Sequence, residues 1–472
     1  MMKIQNSSSL KAVGVEKSRE IILDITNKTL LKLDSYHRIK EIMHLEGSFL
    51  TIGKKVWDLN KKNRIYLVGA GKACNAMAKA VCDVLGGWLT KGIIIVKVLE
   101  EEDVFHNTDV YVGGHPLPNE EGYRASLKIL DLVDQANADD LFIAVMSGGS
   151  SALMSCPRKE ITLQDEIITT DVMLKSGANI YEVNAIRRHI SRLNGGMLAK
   201  RIEERGAELI GIGISDAVGN PPTKDISIPY KNYNSTPIGP DKTTLEDARN
   251  AIKKYKVENR LPKSVVDFLT NATEKDETPK AFPNNTYYLI NTLADSCIYA
   301  RDIAEETGIN TIILTSYLEG ESKDAGVFFA SIAKEIQENG NPIQAPCIIL
   351  SSGETTTKII DNKQIKGHGG PSLELTVGFA TAISKTPGAC MLSIDSEGTD
   401  GTSMAAGGMT DSTSLSRAKK ANVDLFTSLR EHSTFEALST IGDVVITGNT
   451  GTNLCDFNIM YVPQKGDTNN ED

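Results

Sequence analysis

Short apolar runs alternate with amphipathic stretches along most of this 472-residue chain. The runs Arg64–Ala70 (RIYLVGA), Gly92–Val98 (GIIIVKV), Asp140–Met146 (DLFIAVM) and Glu208–Ile214 (ELIGIGI) are short and almost uninterrupted by polar residues. Each reads as a strand buried on both faces. Between them, Lys72–Leu85, Glu120–Gln135 and Asn179–Arg205 carry apolar residues at helical spacing. Ser18–Glu46 reads as one amphipathic helical stretch. Strands alternating with helices predict an α/β fold with a parallel sheet covered on both sides.

The segment from Ala217 to about Pro283 breaks the pattern with Pro-Pro, a Tyr/Asn-rich stretch and the Glu/Lys run Glu274–Lys280. Helices fit at Leu245–Tyr255 and Lys263–Thr273. The alternation then restarts, with strands at Tyr287–Ile290, Thr311–Thr315, Cys347–Leu350, Cys390–Ile394 and Val444–Ile446. Helices fit between the first of these strands, at Thr292–Glu306, Ser322–Asn339 and Leu373–Ser384. The division expected is an N-terminal α/β domain over 1–245, connecting helices over 246–283, and a smaller C-terminal α/β domain over 284–472. The tail beyond Pro463 is polar and predicts fraying.

Composition is ordinary, at 40% hydrophobic and 24% charged, but the balance of 51 Lys plus Arg against 61 Asp plus Glu leaves a net charge of −10. That argues against nucleic acid as a partner, which requires a basic footprint. Seven cysteines without a CxxC pair read as reduced thiols rather than a disulfide frame or zinc site. No apolar run reaches the length of a membrane span, so a cytoplasmic protein with no membrane partner is expected. The oligomeric state is not fixed by the sequence; a homodimer is compatible with it.

Chemistry concentrates in loops that follow strands. Gly69-Ala-Gly71-Lys72 opens a helix, and a lysine there opposes the helix dipole unless an anion is near. Gly113-Gly114-His115-Pro116 could bring an imidazole to a ligand. Ser147-Gly148-Gly149-Ser150 resembles an anion nest and lacks the Gly-x-Ser-x-Gly order of a nucleophile elbow. Asn184, Arg187 and Ser191 share one helix face beside Gly195-Gly196. Asp216 follows a buried strand, the position of a metal ligand, a general base or simply an N-cap. Glu354-Thr355 follows another strand. Two Gly/Thr-rich loops lie at Asp395–Gly408 and Thr447–Asp456, the second ending in Asn453 and Asp456. A dehydrogenase fits poorly. No third glycine follows Gly71, and strand Gly92–Val98 does not itself end in an acid, although Glu100–Asp103 lie just beyond.

In order along the chain, VGAGKA, GGHPLP, SGGSSAL, EVNAIRRHISRLNGG, SDAVGN, SSGETTT, EGTDGTSMAAGG and TGNTGTN resemble the two-domain glycerate 2-kinase family, once labelled hydroxypyruvate reductase. The resemblance spans about Ser18 to Val462. It implies a Rossmann-like parallel-sheet N-terminal domain, a smaller C-terminal α/β domain and an active site in the interdomain cleft. It implies transfer of a phosphoryl group from ATP, with Mg2+, to the 2-hydroxyl of D-glycerate or a related small, anionic hydroxy acid. By position, Lys72 and Asp216 are the catalytic candidates. Ser147, Gly148, Gly149, Ser150, Asn184, Arg187 and His115 are the substrate-binding candidates. Gly69, Gly71, Glu354, Thr355, Asp400, Thr450 and Asn453 would meet nucleotide, with Asp216 and Asp400 on the metal.

The departures cluster at ligand positions. The family's Gly-Gly-Arg-Asn-Gln-Glu becomes Gly369-Gly370-Pro371-Ser372-Leu373-Glu374, which removes a guanidinium. The family's Ser-Gly-Pro-Thr-x-Pro-Asp becomes Ser235–Asp241 after an extra stretch, Tyr230–Asn234. Asn449 and Glu397 replace the usual proline and aspartate. These changes predict a reshaped acceptor pocket, with Lys366 or His368 able to restore the charge lost at Pro371. The alternative is a nucleotide- or metabolite-binding regulator that has lost phosphotransfer.

Overall fold

The computed structural model describes residues 2–99, 104–230, 237–359 and 365–466. The acidic run 100–103, most of the inserted stretch before Asp241 (231–236) and the polar tail 467–472 lie outside them. The chain divides into two compact units. One comprises Ser35–Ser215 and Lys224–Ile290; the other comprises Met1–Asp34, Asp216–Thr223 and Asn291–Asp472.

The unit beginning at Ser35 opens with an antiparallel meander of β1 (Met43–Glu46), β2 (Phe49–Ile52) and β3 (Lys55–Asp58). A second sheet follows: β4 (Ile65–Ala70), β5 (Lys91–Val96), β6 (Thr108–Val112), β7 (Leu141–Met146), β8 (Glu208–Ser215) and β9 (Thr286–Thr292). Its order is β6-β5-β4-β7-β8-β9, and the first five strands run parallel. β4 and β7 are buried throughout, as their continuous apolar sequences require. This is the doubly wound order, in which the connections reverse direction between β4 and β7.

The other unit holds β10 (Asn310–Leu318), β11 (Cys347–Gly353), β12 (Cys390–Asp395), β13 (Gly407–Asp411), β14 (Val444–Val445) and β15 (Asp456–Val462). Their order is β10-β11-β15-β12-β13-β14; only β10 and β11 pair in parallel. Alternate residues point to opposite faces. Ile348, Leu350, Leu392 and Ile459 pack with Ile22, Leu23 and Leu30, while Ile349, Met391 and Met460 pack with Phe329, Leu375 and Phe379. Helices Glu16–Leu33 and Ser322–Asn339 thus lie on opposite faces of one sheet.

The expected boundaries differ from these units. Residues 1–34 group with the later sheet because helix Glu16–Leu33 supplies part of its core. The helices Leu245–Tyr255 and Lys263–Asn271 are no bare connection between domains: Ala248, Ile252, Val265 and Leu269 pack with Met173, Val183 and Ile186 of the earlier unit. Asp216–Thr223 groups with the later unit, where the Thr223 amide and hydroxyl donate to Asp295 at 2.9 and 2.8 Å. The stretch Ser18–Glu46 is two helices and the strand β1, and Asn179–Arg205 breaks into Ile180–His189 and Met197–Glu204. Gly195 and Gly196 force that break with φ of 68° and 80°.

Candidate functional site

In doubly wound sheets, ligands bind beyond the carboxyl ends of the strands where the order reverses. Here that point carries the loops after β4 and β7. Lys72 N–H donates to Gly148 O at 2.9 Å, and Ala73 N–H donates to Ser147 Oγ at 3.0 Å. Gly71 has φ +139°, and a Cβ on it would come within 2.1 Å of Ser147 Oγ. A Cβ on Gly149 would meet His115 Cδ2 at 3.0 Å and Lys72 Cγ at 3.2 Å. Lys72, Ser147, Gly149 and His115 are therefore neighbours, gathered from three loops. Helix Cys74–Leu85 starts after Lys72, so the lysine sits in the turn ahead of it rather than in its first turn. Ser150 begins the short helix Ser150–Leu153 and is buried. Gly69 has a packing reason, since a Cβ there would strike Val145 Cγ2 at 2.6 Å.

Asn184 and Arg187 lie on helix Ile180–His189, whose start is fixed by a capping box between Asn179 and Glu182. The arginines on and just beyond it are used unequally. Arg188 Nη1 is 2.8 Å from Asp241 Oδ1. Arg192 Nη1 lies 3.9 Å from Cys156 Sγ. Arg187 Nε and Nη2 are buried without a hydrogen-bond partner. Burial pulls the Arg187 pKa down, and Glu166 opposes this. Glu166 is itself buried and pushed up by burial, with Oε2 accepting from Ser155 Oγ at 2.6 Å. A buried guanidinium with unspent donors suits a carboxylate or phosphate.

The unit containing β10–β15 gathers a second set. Asn453 Nδ2 donates to Asp216 Oδ2 at 3.1 Å, joining two of the expected residues 237 positions apart. Asp395 and Asp456 stand directly opposite each other on β12 and β15, an unfavourable arrangement for two carboxylates. The Cys455 thiol is pushed well up by burial and then by Asp216, Glu354, Asp395 and Asp456. Sequence reasoning did not give Asp395 a role. Its available signal was its place at a strand end, opening a Gly/Thr-rich loop.

Three nucleotide candidates are turned inward. Asp400 is buried, and its two oxygens accept from Ser372 N–H (3.2 Å) and Leu373 N–H (2.8 Å), in the first turn of helix Pro371–Ile383. Burial and then Asp456 push its pKa well up. Asp400, expected as a metal ligand, places its acceptors on the orphan backbone donors of that first turn, as a helix cap does. The Thr355 amide and hydroxyl donate to Asp456 Oδ2 at 3.0 and 2.8 Å. The Thr450 hydroxyl donates to Ser396 O. Glu354 is exposed, with its N–H on Leu318 O at 2.9 Å. Pro371 is the first residue of its helix, where a missing N–H costs nothing. Neither expected substitute for the lost guanidinium is uncommitted. His368 Nδ1 lies 2.7 Å from Glu436 Oε1, and Lys366 Nζ pairs with Glu431.

Among the described residues, no three His, Cys, Asp or Glu side chains form a ready metal cage. Mg2+ needs none: it takes one or two carboxylates, with phosphate oxygens and water completing its shell. Asp216, held by Asn453, and Asp395, at the end of its strand opposite Asp456, are carboxylates of the kind that ion takes.

Two family models match the chain: a domain of unknown function, DUF4147, over residues 21–270, and the MOFRL family over residues 347–456. The glycerate 2-kinase of Pyrococcus horikoshii is 34% identical over 95% of this chain and 98% of its own length. The D-glycerate 2-kinase of Thermotoga maritima is 34% identical over 85% of this chain and 91% of its own. The crystal structure of a Thermotoga maritima glycerate kinase superposes with a TM-score of 0.77 at 32% identity, covering 94% of this chain and 99% of that one.

Proposed function

We infer the reaction from one premise: this chain belongs to the glycerate kinase family. It is a phosphotransferase that phosphorylates glycerate at the expense of ATP. We place the transfer on the 2-hydroxyl of the D isomer, with Mg2+, in the cytoplasm. A regulator that has lost phosphotransfer is not favoured.

Phosphoryl transfer asks little covalent chemistry of a protein; it asks for position and for charge on the equatorial oxygens. Lys72 supplies that charge in this reading. The backbone of Ser147, Gly148 and Gly149, with the Ser150 hydroxyl, cradles anionic oxygens, and His115 beside Lys72 meets the acceptor. Arg187 and Asn184 hold the glycerate carboxylate. Asp216, oriented by Asn453, takes the acceptor proton or joins Asp395 in holding Mg2+, which when bound neutralises charge on the phosphates. Asp400, Thr355 and Thr450 shape the loops from beneath.

The observation that carries this reading is the junction of Lys72, Ser147, Gly149 and His115 where the strand order reverses. The test is ADP release with ATP, Mg2+ and a panel of D-glycerate, L-glycerate, glycolate and lactate. D-glycerate is expected to drive release, giving 2-phosphoglycerate by phosphorus NMR. Lys72→Ala is expected to lower turnover by about 10²–10³ with an unchanged circular dichroism spectrum. ATP binding without release for any acceptor would restore the regulator. Normal turnover in Lys72→Ala would remove that lysine from the mechanism.

A further inference from the structure

The loop Thr447–Asn453 is held from two sides within its own unit. On one side it meets the turn after β12: a Cβ on Gly398 would lie 1.9 Å from Gly448 O, and Leu454 N–H donates to Ser396 Oγ at 2.7 Å. On the other side lies the start of the chain. Lys3 Nζ donates to Thr450 O at 2.8 Å and to Asp34 Oδ2 at 2.5 Å. Gln5 N–H donates to Ile446 O at 2.8 Å, and Gln5 Nε2 donates to Thr447 O at 2.9 Å. Asn6 Nδ2 donates to Val444 O at 2.7 Å, and its Oδ1 accepts from Ile446 N–H at 3.0 Å.

Three polar side chains within four residues are thus not spent on solvent. Lys3, Gln5 and Asn6 address the backbone of a segment more than 430 positions away, reaching it at Val444, Ile446, Thr447 and Thr450. Between them, Ile4 is fully buried in the sheet core, and its N–H donates to Asn27 Oδ1 at 2.9 Å. The strap is therefore anchored by its apolar residue and reaches out with its polar ones. A glycine- and threonine-rich loop has high conformational freedom, and the side that meets the ligand cannot also be the side that restrains it. The strap's side chains take the loop's carbonyls at Thr447 and Thr450, while the Gly451 N–H is spent on Asn449 Oδ1 within the loop and Asn453 Nδ2 donates to Asp216 Oδ2 at 3.1 Å.

We propose that Lys3, Gln5 and Asn6 are positioning residues that hold the loop Thr447–Asn453 in its nucleotide-binding shape. This rests on the reading that the loop meets ATP. Lys3→Ala/Gln5→Ala removes two of the restraints and keeps Ile4. Its expected effect is a rise of about tenfold in KM for ATP, with kcat and KM for glycerate within about twofold and an unchanged Tm. Lys3→Arg, which keeps a donor in reach, is expected to stay near the parent. Asn453→Ala, measured in parallel, separates the two readings. If it raises KM for ATP while the double variant does not, the strap is not a positioning device. If it leaves KM for ATP unchanged, the loop does not meet nucleotide, and the strap proposal falls with it. A double variant that loses Tm and shifts KM for both substrates equally would make the strap merely structural.

Discussion

Glu277 shows how much one side chain can do in a segment that reads as linker. Its Oε2 accepts from Leu245 N–H at 2.9 Å, its Oε1 meets His189 Nε2 at 2.7 Å, and Lys280 Nζ is 2.9 Å away. Burial raises its pKa, but the Leu245 N–H, Lys280 and His189 together outweigh that and hold it at about 2, against an ordinary 4.5. A carboxylate depressed on folding stabilises the protein above its unfolded pKa, and that stability drains away as pH falls from about 4.5 towards 2. Glu277→Gln is expected to cost about 1–2 kcal/mol at pH 7, after discounting for solvent screening. The difference should close as pH falls through that window. Urea unfolding at pH 7 and at low pH measures it; a deficit independent of pH would mean that packing, not charge, is what the substitution removes. Nothing local to Glu277 hints at this role. The run Glu274–Lys280 looks solvated, and the partners that order it lie on other helices. Arg187 was legible as a candidate for the opposite reason: its bulk and charge stand out beside Gly195-Gly196. That its donors are unspent, while those of Arg188 go to Asp241, could be learned only from the fold.

Elements were legible where their own residues decide them. β4 and β7 are apolar from end to end and followed by Gly71 and by Ser147-Gly148-Gly149, so both the strands and their candidate loops could be read directly. The meander β1–β3 was hidden because its four-residue strands continue a helical pattern, and β13 (GGMTD) because it carries almost no apolar residues. Helix Glu16–Leu33 was visible as an amphipathic stretch, but nothing local says what it packs on. Its anchor is ionic as well as apolar. Arg19 is fully buried, with Nε 2.5 Å from Asp411 Oδ2 and Nη2 2.7 Å from Asp443 Oδ1, and Arg417 completes the group on Asp443. Removing one partner of a buried ion pair strands the remaining charge, which costs about 3–5 kcal/mol. Arg19→Met is expected to lose that much in urea unfolding and to speed amide exchange along the helix first. A loss below about 1 kcal/mol would show that solvent or Arg417 compensates the two aspartates.

At the scale of the molecule, the chain passes from one unit to the other four times, at residues 34, 215, 223 and 290. Composition marks none of these crossings, because each is set by which sheet a segment's apolar face fits rather than by a change in the segment itself. The expected C-terminal domain, 284–472, therefore omits a part of its own core. Without residues 1–34, the face formed by Ile348, Leu350, Leu392, Ile394 and Ile459 loses Ile22, Leu23, Ile25 and Leu30. Burying four such side chains stabilises a fold by on the order of 6–12 kcal/mol, which is comparable to the whole stability of a domain. Asp411 and Asp443 would also lose Arg19. A fragment starting at 284 is expected to give no cooperative urea transition. The same fragment with residues 1–34 joined through a flexible linker is expected to regain one. Equal, cooperative unfolding of both would mean that the helix is an accessory to this sheet, and the strap through Lys3, Gln5 and Asn6 would then have to be anchored by Ile4 alone.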